Sequence, residues 1–202
     1  MKFIRYISGF AVANTTHIWL GGSFRKGTAT PYSDVDISVY GDPDRVKQLI
    51  YGYGNPVFLS RTSNPPGILV VVYEDGVAVD LEVVRSIEIS DTEYFHKEDI
   101  KLRGYQRDES AFRDVVSRDD EPYQVSRLFH RSLCKYLSGK KELGISVANE
   151  IAAFLGVKAI ISELDYSSRI KEMAVAFSKR YPMEEAYERI LRDMIKTVET
   201  EE

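Results

Sequence analysis

Hydrophobic and polar residues follow strand-like patterns in the first half of the chain. Over residues 35–39 apolar and polar positions alternate, so this strand should have one apolar and one polar face. Residues 68–73 form an apolar run and residues 77–84 alternate, on either side of a Glu-Asp-Gly turn. That arrangement is typical of a β-hairpin. A shorter apolar run over residues 17–20 predicts a further strand.

A period of three to four residues predicts helices elsewhere. It covers residues 3–13 near the start of the chain. Asp42-Pro43 pairs an N-cap residue with a proline at the first helical position, so another helix should begin there. Residues 61–67 contain two prolines and a glycine and predict a loop. Beyond Pro122 an antiparallel bundle is expected, with later helices near residues 146–163, 167–180 and 183–199.

This order of elements predicts an α/β (α+β) fold, in which a small mixed β-sheet with flanking helices is followed by a C-terminal helical bundle. We expect the sheet domain over residues 1–90, a charged connecting region over 91–122 and the bundle over 123–202. A homodimer formed through the helices is compatible with this pattern. Four aromatic residues of the connecting region could line a pocket, although packing of loops is their commoner role: Tyr94, Phe95, Tyr105 and Phe112.

Composition narrows the classes of function. The net charge is −4, whereas proteins that bind long nucleic acids usually present a basic face, so a nucleic-acid substrate is disfavoured. Cys134 is the only cysteine, which excludes an internal disulfide and a thiolate-rich zinc site. No apolar run approaches the roughly 18 to 20 residues of a membrane span, and the first residues lack a signal peptide's apolar block. We therefore expect a cytoplasmic protein that does not enter a membrane.

A glycine-rich turn should follow the strand at residues 17–20. Gly22 and Ser23 stand at this point, and Arg25 and Lys26 come directly after them. Glycines let a backbone approach a phosphate closely, and exposed N–H groups with a serine hydroxyl can hold the anion. The two cationic side chains would add positive charge. These four residues are therefore candidates for nucleotide binding.

Acidic residues mark the polar faces of two predicted strands. Asp34 and Asp36 are separated by one apolar residue, so both carboxylates should leave one face with Cα atoms about 6 to 7 Å apart. Asp80 and Glu82 share the polar face of the hairpin's second strand. Carboxylates this close repel unless a cation neutralises them, and carboxylate oxygen is the ligand that Mg²⁺ prefers. The pattern favours a metal site with two acids from one strand and a third from another.

The segment GGSFRKGTATPYSDVDISVY, residues 21–40, resembles the signature of the DNA polymerase β-like nucleotidyltransferase superfamily. There a glycine-serine turn precedes an Asp-x-Asp strand, and a third carboxylate lies on a later strand. Within the superfamily, the sequence of this segment is most similar to that of small drug-modifying enzymes of the aminoglycoside or lincosamide type and of uncharacterised nucleotidyltransferases. Similar segments occur in tRNA CCA-adding enzymes and oligonucleotide-cyclising synthases. The resemblance covers roughly the first half of the chain.

The resemblance implies roles for the residues of the signature. Gly22 and Ser23 would hold the nucleoside triphosphate, and residues 1–90 would be the catalytic core. Asp34 and Asp36 would bind two Mg²⁺ ions, for which Mn²⁺ could substitute. The third carboxylate would be Asp80 or Glu82. Asp80 is favoured because hydrophobic-Asp-hydrophobic is the usual form of this motif, but Glu82 fits almost as well.

The implied reaction is transfer of a nucleoside monophosphate, with pyrophosphate leaving. The leading hypothesis is transfer of AMP from ATP to a hydroxyl of a small-molecule acceptor, because the chain is short and has no recognisable RNA-binding module. An RNA- or oligonucleotide-directed enzyme is the main alternative and would require a basic groove beside the acids. A catalytically inactive nucleotide-binding or interaction module is a third hypothesis, disfavoured because such a module has no need for a repelling carboxylate cluster.

Overall fold

The structure is a computed structural model, and it describes residues 2–63, 65–87, 89, 92–98, 100–113, 115, 116, 118, 120–158 and 160–201. The chain divides into two compact units. The first comprises Met1–Ala29 and Asp34–Ser117, and the second comprises Thr30–Ser33 and Arg118–Glu202. A mixed sheet with helices is followed along the chain by further helices, which confirms the predicted α+β class.

In the first unit helices and strands are interspersed. Their order is α1 (Lys2–Ala13), β1 (His17–Leu20), α2 (Gly22–Lys26), β2 (Val35–Tyr40), α3 (Pro43–Tyr53), β3 (Pro56–Ser63), β4 (Pro66–Tyr73), β5 (Ala78–Ser86), β6 (Phe95–His96) and β7 (Gln106–Arg107). A 3₁₀ turn at Ile100–Arg103 separates the last two strands. As predicted, Asp42 caps α3, because its Oδ1 accepts hydrogen bonds from the N–H groups of Asp44 and Arg45.

The strands form one sheet in the order β3-β4-β5-β2-β1-β6, and β7 pairs with the free part of β5. Neighbours are antiparallel except for two parallel pairs, β2 with β5 and β1 with β6. The sheet is therefore mixed, and the central parallel pair joins two strands that are distant in sequence. This pairing determines which acidic residues become neighbours.

One face of the sheet carries the apolar positions. Its strands contribute Val39, Leu69 and Leu81 to a core that also contains Phe3 and Ile7 of α1. These side chains are at most 2% exposed, so their burial supplies a large part of the unit's hydrophobic stabilisation. The opposite face carries the polar positions of β2 and β5. Because side chains alternate along each strand, the apolar core lies on one face of the sheet and the polar side chains of β2 and β5 lie on the other.

The expected loop over residues 61–67 is much shorter in the structure. β3 continues to Ser63 and β4 begins at Pro66, so most of this segment is paired strand. Thr62 stabilises the connection, because its hydroxyl donates to the Pro65 carbonyl at 2.5 Å and accepts from the Ile68 N–H at 3.3 Å. Proline is tolerated at the first position of a strand. The loop prediction was therefore wrong for both ends of the segment.

The second unit is a set of helices, α4 (Glu121–Leu137), α5 (Lys141–Phe154), α6 (Tyr166–Arg180) and α7 (Glu185–Glu201). The α4 and α5 backbones approach closely, since a Cβ at Gly144 would lie 2.8 Å from the Tyr136 nitrogen. The predicted helix over residues 146–163 ends earlier, at Phe154, because Gly156 adopts a φ of 73°. No helix in the described ranges combines the length and apolarity that a membrane span requires.

An aromatic cluster at the first unit's core makes its stability sensitive to alkaline pH. Tyr73 is 3% exposed and donates to the Ile50 carbonyl, and burial raises its pKa far above the usual 10. Burial and the hydrogen bond to Asp75 raise the pKa of Tyr53 to about 12. A raised folded-state pKa stabilises the fold fully below about pH 10, and that stabilisation is lost as pH rises above 10.

We therefore expect the free energy of unfolding to fall above pH 10, with Tyr73 contributing about 1.4 kcal/mol per pH unit. Urea unfolding of the wild type and Tyr73→Phe, measured between pH 8.5 and 11.5, would show it. The variant starts less stable because it lacks the hydrogen bond to Ile50, but its stability should decline less steeply. Parallel declines in the two proteins would contradict the assignment to Tyr73.

Candidate active site

A cleft of about 370 Å³ opens on the polar face of the sheet. Residues from β1, α2, β2 and β5 line it together with the segment from Glu98 to Arg107. Six of the eight residues predicted to act in catalysis or nucleotide binding are brought together here: Gly22, Arg25, Lys26, Asp36, Asp80 and Glu82. The other two are not among the lining residues: Ser23 directly follows Gly22, and Asp34 lies two positions before Asp36.

The two aspartates are direct partners across the parallel strands β2 and β5. Asp36 is in register with Asp80, and paired strands lie about 4.8 Å apart. Both side chains are partly buried and leave the face opposite the apolar core. Two carboxylates held this close favour a bound cation, because each destabilises the charge of the other. The sheet thus creates an anionic pair in the cleft.

Gly22 packs directly against Asp36, one member of this pair. Its φ is +54°, and a Cβ atom at this position would lie 1.7 Å from Asp36 Oδ2. The preceding residue is tied to the same strand, since the Gly21 N–H donates to the Asp36 carbonyl at 2.8 Å. Only glycine combines the left-handed backbone with so small a separation. The glycine turn and the first acid therefore form a single structural unit.

The predicted glycine-serine turn continues into the five-residue helix α2. Gly27 closes this helix with a φ of 70°, and the Thr28 N–H donates to the Ser23 carbonyl at 3.0 Å. Arg25 and Lys26 occupy its last turn and line the cleft. The turn therefore places two cations beside the aspartate pair, where an anionic ligand would be attracted to them.

Glu82 has a different environment from Asp80. Its Oε1 accepts a hydrogen bond from the Ser38 hydroxyl at 2.7 Å, and its Oε2 accepts one from Arg107 Nε at 2.5 Å. Burial alone would lower the pKa of Arg107, but the adjacent carboxylate raises it. Both oxygens of Glu82 are thus engaged, Oε1 by Ser38 and Oε2 by Arg107 at the edge of the cleft.

We expect Glu82→Gln to lower the free energy of unfolding by about 1–3 kcal/mol, because a charge-assisted, partly buried hydrogen bond is lost. Glu98→Gln makes the same substitution in the cleft, at a side chain that is 47% exposed, and should cost less than about 1 kcal/mol. Urea denaturation at pH 7 compares the two. Equal losses would show that the contact between Glu82 and Arg107 contributes little to stability.

The predicted metal ligands are only partly assembled by the structure. In the residues that it describes, no three His, Cys, Asp or Glu side chains converge into a group that could hold a metal ion by themselves. The assembled part is the pair Asp36 and Asp80. Asp34 directly precedes β2, and its role stays a prediction. A two-carboxylate set nevertheless suits Mg²⁺, which is usually bound by one or two carboxylates together with substrate phosphates.

Several cleft residues could not be identified from the sequence. Lys101 and Arg107 come from a charged segment with weak periodicity, in which the 3₁₀ turn and β7 are too short to show a pattern. A small apolar cluster on this face contains Trp19 and Ile100 and holds the segment to the sheet. The aromatic content of the region was the one signal available, and Tyr105 does line the cleft.

Residues 5–101 match the family model of the nucleotidyltransferase domain. The match covers slightly less than half of the chain and includes Gly22, Asp36 and Asp80, whereas Tyr105 and Arg107 lie beyond it. No curated protein matches the chain. The family match supports the superfamily assignment made from the signature.

Residues 5–101 are thus similar to a nucleotidyltransferase domain. A domain of this class implies nucleotidyl transfer as the general reaction and a nucleoside triphosphate as a substrate.

Proposed function

We propose that this protein is a Mg²⁺-dependent nucleotidyltransferase that transfers AMP from ATP to a hydroxyl group of a small-molecule acceptor and releases pyrophosphate. The observation that carries the proposal is the registered pair Asp36 and Asp80, of which the Asp36 carboxylate packs against Gly22. A carboxylate pair next to a glycine turn and two cations provides separate places for a metal ion and for phosphates.

The turn after β1 would bind the triphosphate. At Gly22 there is no side chain between the backbone and the cleft, and Ser23 follows with a hydroxyl and an N–H group. Arg25 and Lys26 would neutralise charge on the β- and γ-phosphates. Because Gly22 contacts the Asp36 carboxylate, a triphosphate in this position would have its α-phosphate near the aspartate pair.

Asp36 and Asp80 would hold Mg²⁺, with Asp34 as a further ligand and a second ion as part of the proposal; Mn²⁺ should substitute. Bound metal would supply charge neutralisation at the α-phosphate and orient the leaving group. The donor chemistry fits, since both groups are carboxylates and face one cleft. The protein would contribute in two ways. The paired strands position the acids, and the lack of a side chain at Gly22 leaves space beside the Asp36 carboxylate.

Asp80 is the better candidate for the third carboxylate, because it is the register partner of Asp36, whereas Glu82 is paired with Ser38 and hydrogen-bonded to Arg107. Asp80 would assist removal of the proton from the acceptor hydroxyl. The acceptor oxygen then bonds to the α-phosphorus while the bond from that phosphorus to the bridging oxygen breaks. Pyrophosphate leaves with the electron pair of the broken bond, on the side opposite the attacking oxygen.

A small acceptor fits the cleft better than a polymer does. The volume of about 370 Å³ lies within the range of small-molecule sites. The lining is charge-balanced, with four cationic and four acidic residues: Arg25, Lys26, Lys101, Arg107, Asp36, Asp80, Glu82 and Glu98. A continuous basic groove, as an RNA-directed enzyme would need, is not what this set provides.

Isothermal titration with the α,β-methylene analogues of ATP, GTP, CTP and UTP, each with Mg²⁺ and with EDTA, tests the proposal. We expect Mg²⁺-dependent binding with preference for the ATP analogue. Failure of all four analogues to bind, or equal binding in EDTA, would overturn it. Pyrophosphate release from ATP would then be screened with an aminoglycoside, a lincosamide and a short RNA, and stimulation by RNA alone would favour the nucleic-acid-directed alternative.

A further inference from the structure

Trp19, the only tryptophan of the chain, lies in the wall of the cleft. It is in β1, where it is the register partner of Ser38, and it is 1% exposed. Its ring stacks on His96 with centroids 4.5 Å apart and planes at 11°. Nδ1 of His17 is hydrogen-bonded to Nε2 of His96 at 2.9 Å. Packing on this histidine pair fixes the orientation of the indole.

Among the described residues the indole N–H of Trp19 has no hydrogen-bond partner. Within the part of the chain that the structure describes, no hydrogen-bond acceptor reaches Nε1 of Trp19, although the atom is buried. A buried donor without an acceptor costs about 1–3 kcal/mol, and native structures rarely keep one without a reason. The stacked ring cannot rotate to find an acceptor without breaking its contact with His96. A ligand atom that accepted this hydrogen bond would remove that cost.

The position of Trp19 relative to the reaction centre follows from strand register. Asp36 and Ser38 are two residues apart on β2, and Trp19 is paired with Ser38. Trp19 therefore lies about 7 Å along the strands from the level of the aspartate pair. Gly21 contacts Asp36 on the other side, which places Trp19 beyond the acids as seen from the phosphate-binding turn. A group attached at the α-phosphate and directed away from that turn would extend toward Trp19.

The surroundings at this end of the cleft suit an uncharged group. Ile68, Ile100 and Tyr105 contribute apolar and aromatic surface. The nearest strand row also holds Glu82, whose charge is balanced by Arg107 at 2.5 Å. A charged ligand group would find no uncompensated opposite charge in this ion pair. A ring with apolar faces and one hydrogen-bond-accepting atom fits both the walls and the indole N–H.

We infer that this end of the cleft is a binding subsite for an uncharged ring that carries a hydrogen-bond acceptor, and that the Trp19 indole N–H is its specificity-determining donor. The inference rests on the proposed function, because it assumes a triphosphate at the turn after β1. The nucleoside and the acceptor molecule can both present this chemistry. They differ in whether the subsite fills when the nucleotide binds alone.

The indole N–H of a single tryptophan gives one assignable ¹⁵N–¹H NMR signal, which can be followed together with the backbone signals of Gly22 and Ser23. Three additions are made: Mg²⁺ with tripolyphosphate, Mg²⁺ with α,β-methylene-ATP, and the latter with methyl α-D-glucopyranoside. We expect tripolyphosphate to shift only the turn signals. A downfield indole shift with the nucleotide assigns the subsite to the nucleoside, and one that requires the glucoside assigns it to the acceptor.

Two results overturn the inference. In one, the turn signals move in all three additions while the indole stays in place. In the other, tripolyphosphate shifts the indole as much as the nucleotide does. If the turn signals do not respond to any addition, the proposed function fails first, and the subsite fails with it. The turn signals therefore distinguish failure of the subsite alone from failure of the enzyme assignment.

A variant separates the hydrogen bond from packing. Replacing Trp19 with β-(3-benzothienyl)alanine keeps the bicyclic shape and substitutes sulfur for the N–H group. We expect unchanged thermal unfolding and unchanged affinity for tripolyphosphate, but roughly three- to tenfold weaker binding of the ring-bearing ligand, as for loss of one hydrogen bond. Trp19→Phe provides a second variant without the donor. Equal affinity of the wild type and the benzothienyl protein for that ligand would overturn the inference.

Discussion

Asp36→Asn is expected to weaken Mg²⁺-dependent binding of α,β-methylene-ATP by at least about 100-fold, since a metal ion shared with phosphates contributes several kcal/mol. The substitution preserves the shape of the side chain and removes one charge of the registered pair Asp36 and Asp80. The amide is a poorer ligand for Mg²⁺ than the carboxylate. Isothermal titration with and without Mg²⁺ measures the effect, and Asp80→Asn should behave similarly.

Asp44→Asn is the matched control, because this aspartate lies in the first turn of α3 with its side chain 86% exposed. It should bind the nucleotide as the wild type does. The fold should survive Asp36→Asn, since the substitution relieves repulsion between two carboxylates. If Asp36→Asn retains metal-dependent binding within about threefold of Asp44→Asn, the acid pair is not the metal site, by the scale of one ligand's contribution.

Gly22→Ala should lose nucleotide binding by at least about tenfold, because the methyl group would displace the Asp36 carboxylate, and misplacement by about 1 Å is costly at a reaction centre. The added Cβ would lie 1.7 Å from Oδ2 and 2.7 Å from Cγ of Asp36. The left-handed backbone adds a cost to stability of about 1–2 kcal/mol.

Gly27→Ala isolates the contact from the backbone effect. Gly27 has a φ of +70°, close to the +54° of Gly22, but nothing lies within 4 Å of a Cβ added there. Both variants should therefore lose similar stability in thermal unfolding, and only Gly22→Ala should lose Mg²⁺-dependent binding. If the two variants bind the nucleotide equally well, Gly22 is needed only for its left-handed backbone conformation, and its contact with Asp36 does not matter for binding.

The alternation of apolar and polar residues was sufficient to predict the strands of the sheet and the face on which their acidic residues lie. Alternation around Val79 and Leu81 places Asp80 and Glu82 on one face, as any β-strand must. It could not say which strand would be the neighbour, because pairing between distant segments depends on packing of the whole sheet. The register of Asp36 with Asp80 therefore became visible only in the structure.

The remaining cleft residues depend on contacts that leave little trace in sequence. Arg107 is in a two-residue strand, and its role follows from Glu82 across the sheet. Trp19 looked like an ordinary apolar residue of β1, yet its face is set by the register with Ser38. The expected loop at residues 61–67 failed for a similar reason, since hydrogen bonds of Thr62 allow the strands to continue almost to the turn.

The parallel pairing of β2 with β5 also has a consequence for the order of folding. β3, β4 and β5 are consecutive antiparallel neighbours, and such local pairings close early because their loops are short. The contact between Ser38 and Glu82 spans 44 positions, so β2 should join later. The carboxylate pair is then created in the step that completes the sheet. A partly folded chain would contain the antiparallel strands β3, β4 and β5 but not the pair Asp36 and Asp80. Mg²⁺-nucleotide would therefore stabilise only the completed sheet.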